Sequence, residues 1–156
     1  MGIAEKPRRM EDIRTWYGEQ PIWHQYTMGV AGERFFRALK DRGVIMASKC
    51  PRCGCLLVPG RMYCAECFVH TTDWVEVGPR GTVNTFTVLH EDLDDQPLAE
   101  PVVVAFIQFA GARGGLIHRL GEIKPGDVAC GMAVEPVLRQ ERTGGLEDIQ
   151  YFKPAR

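Results

Sequence analysis

The chain has 156 residues, of which 45% are hydrophobic and 25% charged, a composition typical of one globular domain or two small ones. Its formal net charge of −1 argues against a large nucleic-acid interface, because domains that bind nucleic acid are usually basic. No apolar run approaches the roughly eighteen residues of a membrane span, and no apolar stretch follows the charged N-terminus as in a secretory signal. We therefore expect a cytoplasmic protein, whose clustered cysteines bind metal more often than they form disulfides.

The first 46 residues (1–46) are predicted to form an arm and helices. The segment "GERFFRALKDRG" places Phe35, Phe36 and Leu39 on one side and charged residues elsewhere, a pattern typical of an amphipathic helix that ends at Gly43. A shorter helix is expected near "MEDIRTWYGEQ". The arm has too few aliphatic residues for its own core, so its aromatic residues should pack either on the body of the chain or on a partner protein. These residues are Trp16, Tyr17, Trp23 and Tyr26.

Five of the six cysteines lie in "KCPRCGCLLVPGRMYCAEC", residues 49–67. Cys50 and Cys53 form one C-x2-C pair, and Cys64 and Cys67 form another, with ten residues between the pairs. Two facing C-x2-C turns create a closed tetrahedral site of four thiolates, which suits Zn²⁺. A redox centre, or iron bound by the same four sulfurs, is the alternative. A site with four protein ligands has no open position for water, so the zinc is predicted to be structural.

The ten residues between the pairs predict a short hairpin that completes a zinc ribbon over residues 47–70. Leu56–Val58 would form the first strand, Pro59–Gly60 the turn and Arg61–Tyr63 the return strand. Cys55 is predicted to point away from the metal and is left out of the ligand set. A ribbon of this size has almost no core, so metal binding can decide whether it folds.

After the ribbon, residues 71–156 are predicted to form a small barrel of five or six strands. An OB-like barrel fits best, and an SH3-like barrel or a sandwich is the alternative. The segment "VVVAFIQF" is almost wholly apolar, so both of its faces are expected to be covered. The predicted strands are Asp73–Val77, Gly81–His90, Val102–Phe109, Gly115–Leu120, Ala133–Gln140 and Ile149–Lys153.

No residue of the chain is predicted to be catalytic. Cys130 precedes a predicted strand, not a helix whose N-terminus would lower the thiol pKa, so a packed or idle thiol is favoured. Strand alternation groups His118 with Leu116 and Leu120, which favours a hydrogen-bonded core histidine over a catalytic one. The region from Lys40 to Cys67 carries five basic and two acidic residues, a patch that can attract the phosphates of CoA or an acidic partner surface, although ordinary solvated charge is favoured for each residue.

Several motifs together resemble the family of rubredoxin-like zinc-ribbon proteins with a C-terminal OB-fold, long known as a domain of unknown function. They are a helix rich in phenylalanine, C-x2-C-G, a proline-containing hairpin, the second C-x2-C, "WVEVGPRGTVNTFTVLH" and "CGMAVEPV". The segments "YTMGVAGERFFRALK" and "GGLIHRLGEI" resemble a longer branch of that family, so the resemblance covers residues 23–154. The family commonly has two prolines in the hairpin, whereas this chain has Pro59–Gly60, which should alter the turn and leave the zinc site intact.

The resemblance implies a mainly β fold with N-terminal helices, in which a rubredoxin-like zinc ribbon precedes an OB-fold barrel. It also implies a non-catalytic auxiliary subunit that associates with thiolases and related enzymes acting on acyl-CoA, including thiolases of aromatic breakdown. The partner would be a thiolase-like catalytic subunit in a hetero-oligomer, with CoA or acyl-CoA at the interface. The alternatives are a nucleic-acid-binding module, which the near-neutral charge disfavours, and an acyl-CoA hydrolase, for which no base and water site can be located.

Overall fold

The computed structural model describes residues 9–12, 18 and 23–155. Of the short helix expected near residues 10–20, the described part is a single 3-10 turn, Met10–Asp12. Trp16 and Tyr17 lie outside the described residues. Among the helices within the described ranges, none is both long and apolar enough to cross a membrane.

The predicted amphipathic helix is present as α1, Gly29–Arg42. It begins three residues earlier than the motif suggested and buries Phe35, Ala38 and Leu39. The helix ends where Gly43 adopts a left-handed conformation (φ 69°), and the Gly43 N–H donates to the Leu39 carbonyl. Glycine reaches this conformation without steric cost, which explains why the helix ends at this residue.

Nine strands make up two sheets of the described chain. They are β1 Ile45–Lys49, β2 Leu56–Val58, β3 Asp73–Val77, β4 Gly81–Glu91, β5 Pro97–Phe109, β6 Ala112–Gly114, β7 Leu116–Arg119, β8 Ala133–Leu138 and β9 Ile149–Pro154. The first sheet has the order β3-β1-β2-β6, and the second has the order β7-β5-β4-β8-β9. The strands predicted after the ribbon are all present, with ends that differ by up to five residues.

The ribbon pairs differently from the hairpin that the sequence predicted. Leu56–Val58 is indeed a strand, but its antiparallel partner is β1, which was not predicted, rather than Arg61–Tyr63. The Arg61 N–H donates instead to the Ser48 hydroxyl at 2.9 Å, and the Thr71 N–H donates to the Met62 carbonyl at 2.8 Å. The return segment therefore bonds to residues outside β2, and the free edge of β2 is taken by β6 in parallel pairing.

The second sheet is a five-stranded barrel. Its edge strands β7 and β9 approach each other at a parallel bridge between Leu120 and Phe152, where the Gly121 N–H donates to the Phe152 carbonyl at 2.8 Å. This contact closes the sheet on itself, as the prediction of a closed barrel requires. The predicted breaker "AGARGG" contains β6, a strand too short to be recognised from its own residues.

One hydrophobic core joins the helix, the first sheet and the barrel. Phe35 and Leu39 of α1, Ile45 of β1 and Val58 of β2 belong to the same buried cluster as Ile107 and Phe152 of the barrel. The helix α1 and the strands β1 and β2 are therefore packed on the barrel rather than separated from it.

The described chain covers the two faces of the apolar strand β5 unequally, whereas the sequence predicted that both faces of "VVVAFIQF" are covered. Val103, Ala105, Ile107 and Phe109 point inward and are buried. The residues that alternate with them are half-buried and align with exposed apolar residues of β4 and β7 through the register of the sheet. We call this surface the outer sheet face; it consists of Leu89, Val102, Val104, Phe106 and Ile117.

Asp148 is a fully buried carboxylate in the turn between β8 and β9. Its two oxygens accept hydrogen bonds from the backbone N–H groups of Thr143 at 2.7 Å and Gly144 at 2.8 Å. Burial alone would raise the pKa of Asp148, but the hydrogen bonds from Thr143 and Gly144 outweigh it and hold the pKa below its usual value. The ionised form therefore stabilises the fold.

We expect Asp148→Asn to lower the free energy of unfolding by about 2 kcal/mol, as for hydrogen bonds to a buried charge. The asparagine amide has one acceptor oxygen, so its NH2 group would face one of the two N–H donors. Because a lowered pKa adds stability that is lost as pH falls through the folded-state value, the wild-type chain should lose stability below roughly pH 4 more steeply than the variant. Urea unfolding at several pH values measures both effects. The exposed Asp127→Asn is the control, and equal stability of the two variants would contradict the assignment.

Candidate metal centre

The first pair of cysteines lies in a tight turn at the end of the β1–β2 hairpin. The Gly54 N–H donates to the Cys50 carbonyl and the Cys50 N–H donates to the Cys55 carbonyl, both at 2.9 Å. Gly54 has φ 72°, which lets the chain reverse directly after Cys53. We call residues 50–55 the first knuckle.

The second pair lies in a turn with the same hydrogen bonds. The Phe68 N–H donates to the Cys64 carbonyl at 2.9 Å, and the Cys64 N–H donates to the Val69 carbonyl at 3.0 Å. Phe68 takes the left-handed conformation (φ 54°) that Gly54 takes in the first knuckle. An isolated bridge between Tyr63 and His70 closes this second knuckle, residues 64–69. The two knuckles thus repeat one structure, in which Gly54 corresponds to Phe68 and Cys55 to Val69.

The two knuckles bring the four predicted sulfurs together. The Sγ atoms of Cys50, Cys53, Cys64 and Cys67 all lie within 4.8 Å of one another. Cys50 and Cys64 are buried, Cys67 is half-buried, and Cys53 is exposed at the rim. Four thiols at such separations, on two C-x2-C turns, fit tetrahedral Zn²⁺, whose bonds to sulfur are about 2.3 Å long.

Cys55 does not point away from this cluster, and the prediction that it would was wrong. Its Sγ atom lies 3.1 Å from that of Cys53 and 4.0 Å from that of Cys64. Because Gly54 turns the chain between them, the side chains of Cys53 and Cys55 emerge on the same side of the first knuckle. The cluster therefore contains a fifth sulfur next to the four.

The close sulfurs alter the acidity of the thiols. Contact with Cys55 lowers the pKa of Cys53 to about 6, and contact with Cys53 raises the pKa of Cys55 to about 12. The pKa of Cys67 is likewise raised to about 12, chiefly by its contact with Cys53. A metal that binds the cluster must displace the thiol protons, so its affinity depends on pH.

Around the cysteines the ribbon has little core of its own. Its small buried cluster consists of Cys50, Leu57 and Cys64, with Val69 packed at its side. A cavity of about 140 Å³ lies beside Cys55, and an ion pair between Arg113 of β6 and Glu66 of the second knuckle borders it. Such a core is too small to hold the two knuckles together by itself. The ribbon therefore depends on metal binding by its cysteine sulfurs for stability.

The other residues considered from the sequence lie apart from the cysteine cluster. Cys130 is exposed in the turn that precedes β8. His118 lies on the inner side of β7, with its ring 5.7 Å from that of Phe152 in an edge-to-face contact. Burial lowers the pKa of His118. His118 is thus a half-buried residue in contact with the core residue Phe152, rather than the core histidine that the sequence predicted.

Two basic residues of region 40–67, Arg42 and Arg61, line different places. Arg42 lines a groove of about 340 Å³ along α1, together with Arg34, Arg37 and Trp74. The Arg34 guanidinium lies 5.6 Å from the centre of the Trp74 ring, a cation–π distance. Arg61 lines the cavity beside the cysteines instead.

Large aromatic side chains are exposed on the arm and on the second knuckle. Trp23 is 96% exposed and Tyr26 is 85% exposed, so the described part of the chain does not cover them. On the ribbon, Phe68 is 85% exposed and Tyr63 is 61% exposed, the latter in an edge-to-face contact with His70. The sequence had indicated the aromatic arm, but it gave no signal for Phe68.

Comparison with known proteins places both parts of this structure in one family. Residues 37–73 match the family model described as the rubredoxin-like zinc ribbon domain of ChsH2, and residues 74–139 match that of the ChsH2 C-terminal OB-fold domain. A DUF35 domain-containing scaffold protein of Methanocaldococcus jannaschii is 32% identical over 127 residues, which cover 78% of this chain and 89% of the relative. A protein of the same description from Methanothermobacter thermautotrophicus is 28% identical, with coverage of 78% and 94%.

Two solved structures share the fold. One is a DUF35-family protein of unknown function from Sulfolobus solfataricus, with a TM-score of 0.66 and 32% identity, covering 81% of this chain and 87% of that one. The other is described as an Ltp2-ChsH2(DUF35) aldolase, with a TM-score of 0.63 and 24% identity, covering 85% and 100%. The knuckles, the barrel and these matches together show that the chain belongs to the DUF35 family, whose members combine a rubredoxin-like zinc ribbon with a C-terminal OB-fold.

Proposed function

We propose that this chain is a non-catalytic subunit that binds a thiolase-like enzyme and shapes its acyl-CoA site. A structural zinc ion held by Cys50, Cys53, Cys64 and Cys67 fixes the ribbon, and the partner's own residues carry out acyl transfer. The observation that carries the proposal is the combination of a closed four-thiolate centre with exposed aromatic side chains on the same ribbon. The descriptions of two relatives as scaffold proteins, and of one structural neighbour as an aldolase containing a DUF35 component, support it.

A closed zinc centre supports a structural role for the metal. Four thiolates fill the tetrahedron, so no position remains at which the ion can activate water or polarise a substrate. The ion would instead replace the hydrophobic core that the ribbon lacks and hold the second knuckle, with Phe68 and the adjacent Tyr63, in a fixed orientation.

The exposed apolar surfaces support a protein partner over nucleic acid. The outer sheet face presents mainly aliphatic side chains, among them Leu89, which is 41% exposed, and Ile117, which is 66% exposed. Single-stranded nucleic acid is usually bound by stacked aromatic rings along a basic groove. Exposed aliphatic and aromatic side chains outside a basic groove are instead typical of surfaces that bind proteins.

The arginine groove along α1 supports contact with acyl-CoA at the interface. Arg34, Arg37 and Arg42 can offer guanidinium groups to the phosphates of CoA, although Arg37 also pairs with Glu33 at 2.6 Å and Arg42 with Glu76 at 4.0 Å. The resemblance of the chain to subunits of thiolases of aromatic breakdown, such as the small subunit of benzoylsuccinyl-CoA thiolase, suggests aromatic or other carboxylic acids as the source of the acyl group.

Removal of one buried ligand should release the metal. We expect the purified wild-type chain to contain one zinc ion, and Cys64→Ser to lose it together with the folded ribbon, because metal binding worth on the order of 10 kcal/mol is removed. Elemental analysis and thermal unfolding measure these effects, with Cys130→Ser as the control. Acidification should release zinc from the wild-type chain, since protons compete for the thiolates. A wild-type chain that is folded and free of metal would refute the zinc assignment.

The strained aromatic residue at Phe68 gives a test of partner binding that is separate from folding. Phe68→Gly removes a left-handed non-glycine residue and little packing, so we expect the isolated chain to be as stable as the wild type, or more stable by up to about 1 kcal/mol. The same change should weaken binding to the catalytic subunit, because an exposed aromatic anchor is lost. Calorimetric titration and thermal unfolding measure the two effects. The control is Leu93→Ala, which removes a fully exposed apolar side chain at the tip of the β4–β5 hairpin.

Co-expression with a thiolase-like subunit encoded beside this gene tests the proposal as a whole. We expect the two chains to co-purify and the catalytic subunit to lose thiolase activity when produced alone. A catalytic subunit with full activity alone and no association with this chain would reject the proposal. Steeply salt-dependent binding of single-stranded DNA or RNA would instead favour a nucleic-acid function, and thioester turnover by this chain alone would favour a hydrolase.

A further inference from the structure

The cysteine cluster provides five sulfur atoms for the four corners of one tetrahedron. With zinc–sulfur bonds of about 2.3 Å, two thiolates on the same ion are about 3.8 Å apart. The Sγ atoms of Cys53 and Cys64 are separated by 3.9 Å, and those of Cys55 and Cys64 by 4.0 Å. Measured from Cys64, both Cys53 and Cys55 therefore lie at the distance expected of a neighbouring ligand.

The same two sulfurs are too close together to be ligands of one ion at the same time. The Sγ atoms of Cys53 and Cys55 are 3.1 Å apart, well short of a tetrahedral edge. Gly54, with φ 72°, directs both side chains to the same side of the first knuckle. Two thiols that each fit beside Cys64, but not beside each other, compete for one corner of the site.

The second knuckle shows that this arrangement is specific to the first. The hydrogen bonds of the two knuckles correspond, and the position equivalent to Cys55 is Val69, which cannot bind metal. Cys67 consequently has no competing neighbour in its own knuckle. The remaining corners belong to Cys50, Cys64 and Cys67, two of which are buried.

We infer that Cys55 is an alternative zinc ligand that shares one corner of the site with Cys53. In the described arrangement Cys53 occupies the corner, since it belongs to the set of four sulfurs within 4.8 Å of one another. Rotation of the Cys55 side chain brings its thiolate into the corner when Cys53 leaves. Whichever of the two is not bound is a free thiol at the edge of the centre, and Cys53 is the one exposed to solvent. This inference rests on the zinc centre of the proposed function.

The test compares single and double variants loaded with zinc and with Co²⁺. Cys53→Ser and Cys55→Ser should each retain one metal ion per chain, and their Co²⁺ complexes should keep the charge-transfer absorption of four thiolates. The double variant Cys53→Ser/Cys55→Ser has three corner thiolates left, as Cys64→Ser has, and should therefore lose its zinc as Cys64→Ser does. Cys64→Ser, whose corner has no substitute, is the matched control for loss of metal.

Alkylation of the zinc-bound wild-type chain provides a second readout. Iodoacetamide followed by peptide mass spectrometry should label Cys130 and, in separate molecules, either Cys53 or Cys55. If Cys53→Ser loses its metal as Cys64→Ser does, or if only Cys55 is labelled within the cluster, the inference is wrong while the zinc centre stands. A wild-type chain that binds no zinc would refute the zinc centre itself, so the two failures are distinguishable.

Discussion

The convergence of sulfur atoms from two knuckles is the contact on which the ribbon depends. Each knuckle is a short turn held by two backbone hydrogen bonds, and the pair encloses only Leu57 and the cysteines as a core. Thiolates this close repel one another unless they are protonated or bound to a cation. A metal ion converts that repulsion into four bonds, so the region with the least apolar packing becomes one of fixed geometry.

The strands that flank the knuckles connect the ribbon to the rest of the molecule. β1 leads into the first knuckle and pairs over its whole length with β3, the strand that follows the ribbon. β2 leaves the first knuckle and pairs with β6, whose Arg113 forms an ion pair with Glu66 of the second knuckle. Because α1, β1 and β2 also contribute to the core of the barrel, ribbon and barrel hold each other in place.

The described chain presents several exposed apolar surfaces. The sulfurs of the ribbon converge on one another, His118 is packed on Phe152, and Cys130 is exposed in a turn. Apolar side chains, by contrast, are exposed on the arm, on the second knuckle and on the outer sheet face. Phe68 combines exposure with a backbone conformation that is costly for a residue with a side chain, and such strain is found more often at functional positions than elsewhere.

The sequence alone determined what depends on local spacing. The C-x2-C pairs indicated the four sulfurs that converge, the apolar spacing indicated α1 with its end at Gly43, and alternation with breakers indicated the barrel strands. Tertiary structure decided which segments meet: β1 rather than Arg61–Tyr63 pairs with β2, β6 joins from a predicted loop, and Cys55 turns toward the cluster. A three-residue strand carries almost no periodic signal, and its partner is chosen by hydrogen-bond donors and acceptors left free more than fifty residues away. The direction of one side chain beside a left-handed glycine likewise depends on a backbone angle that residue spacing does not encode.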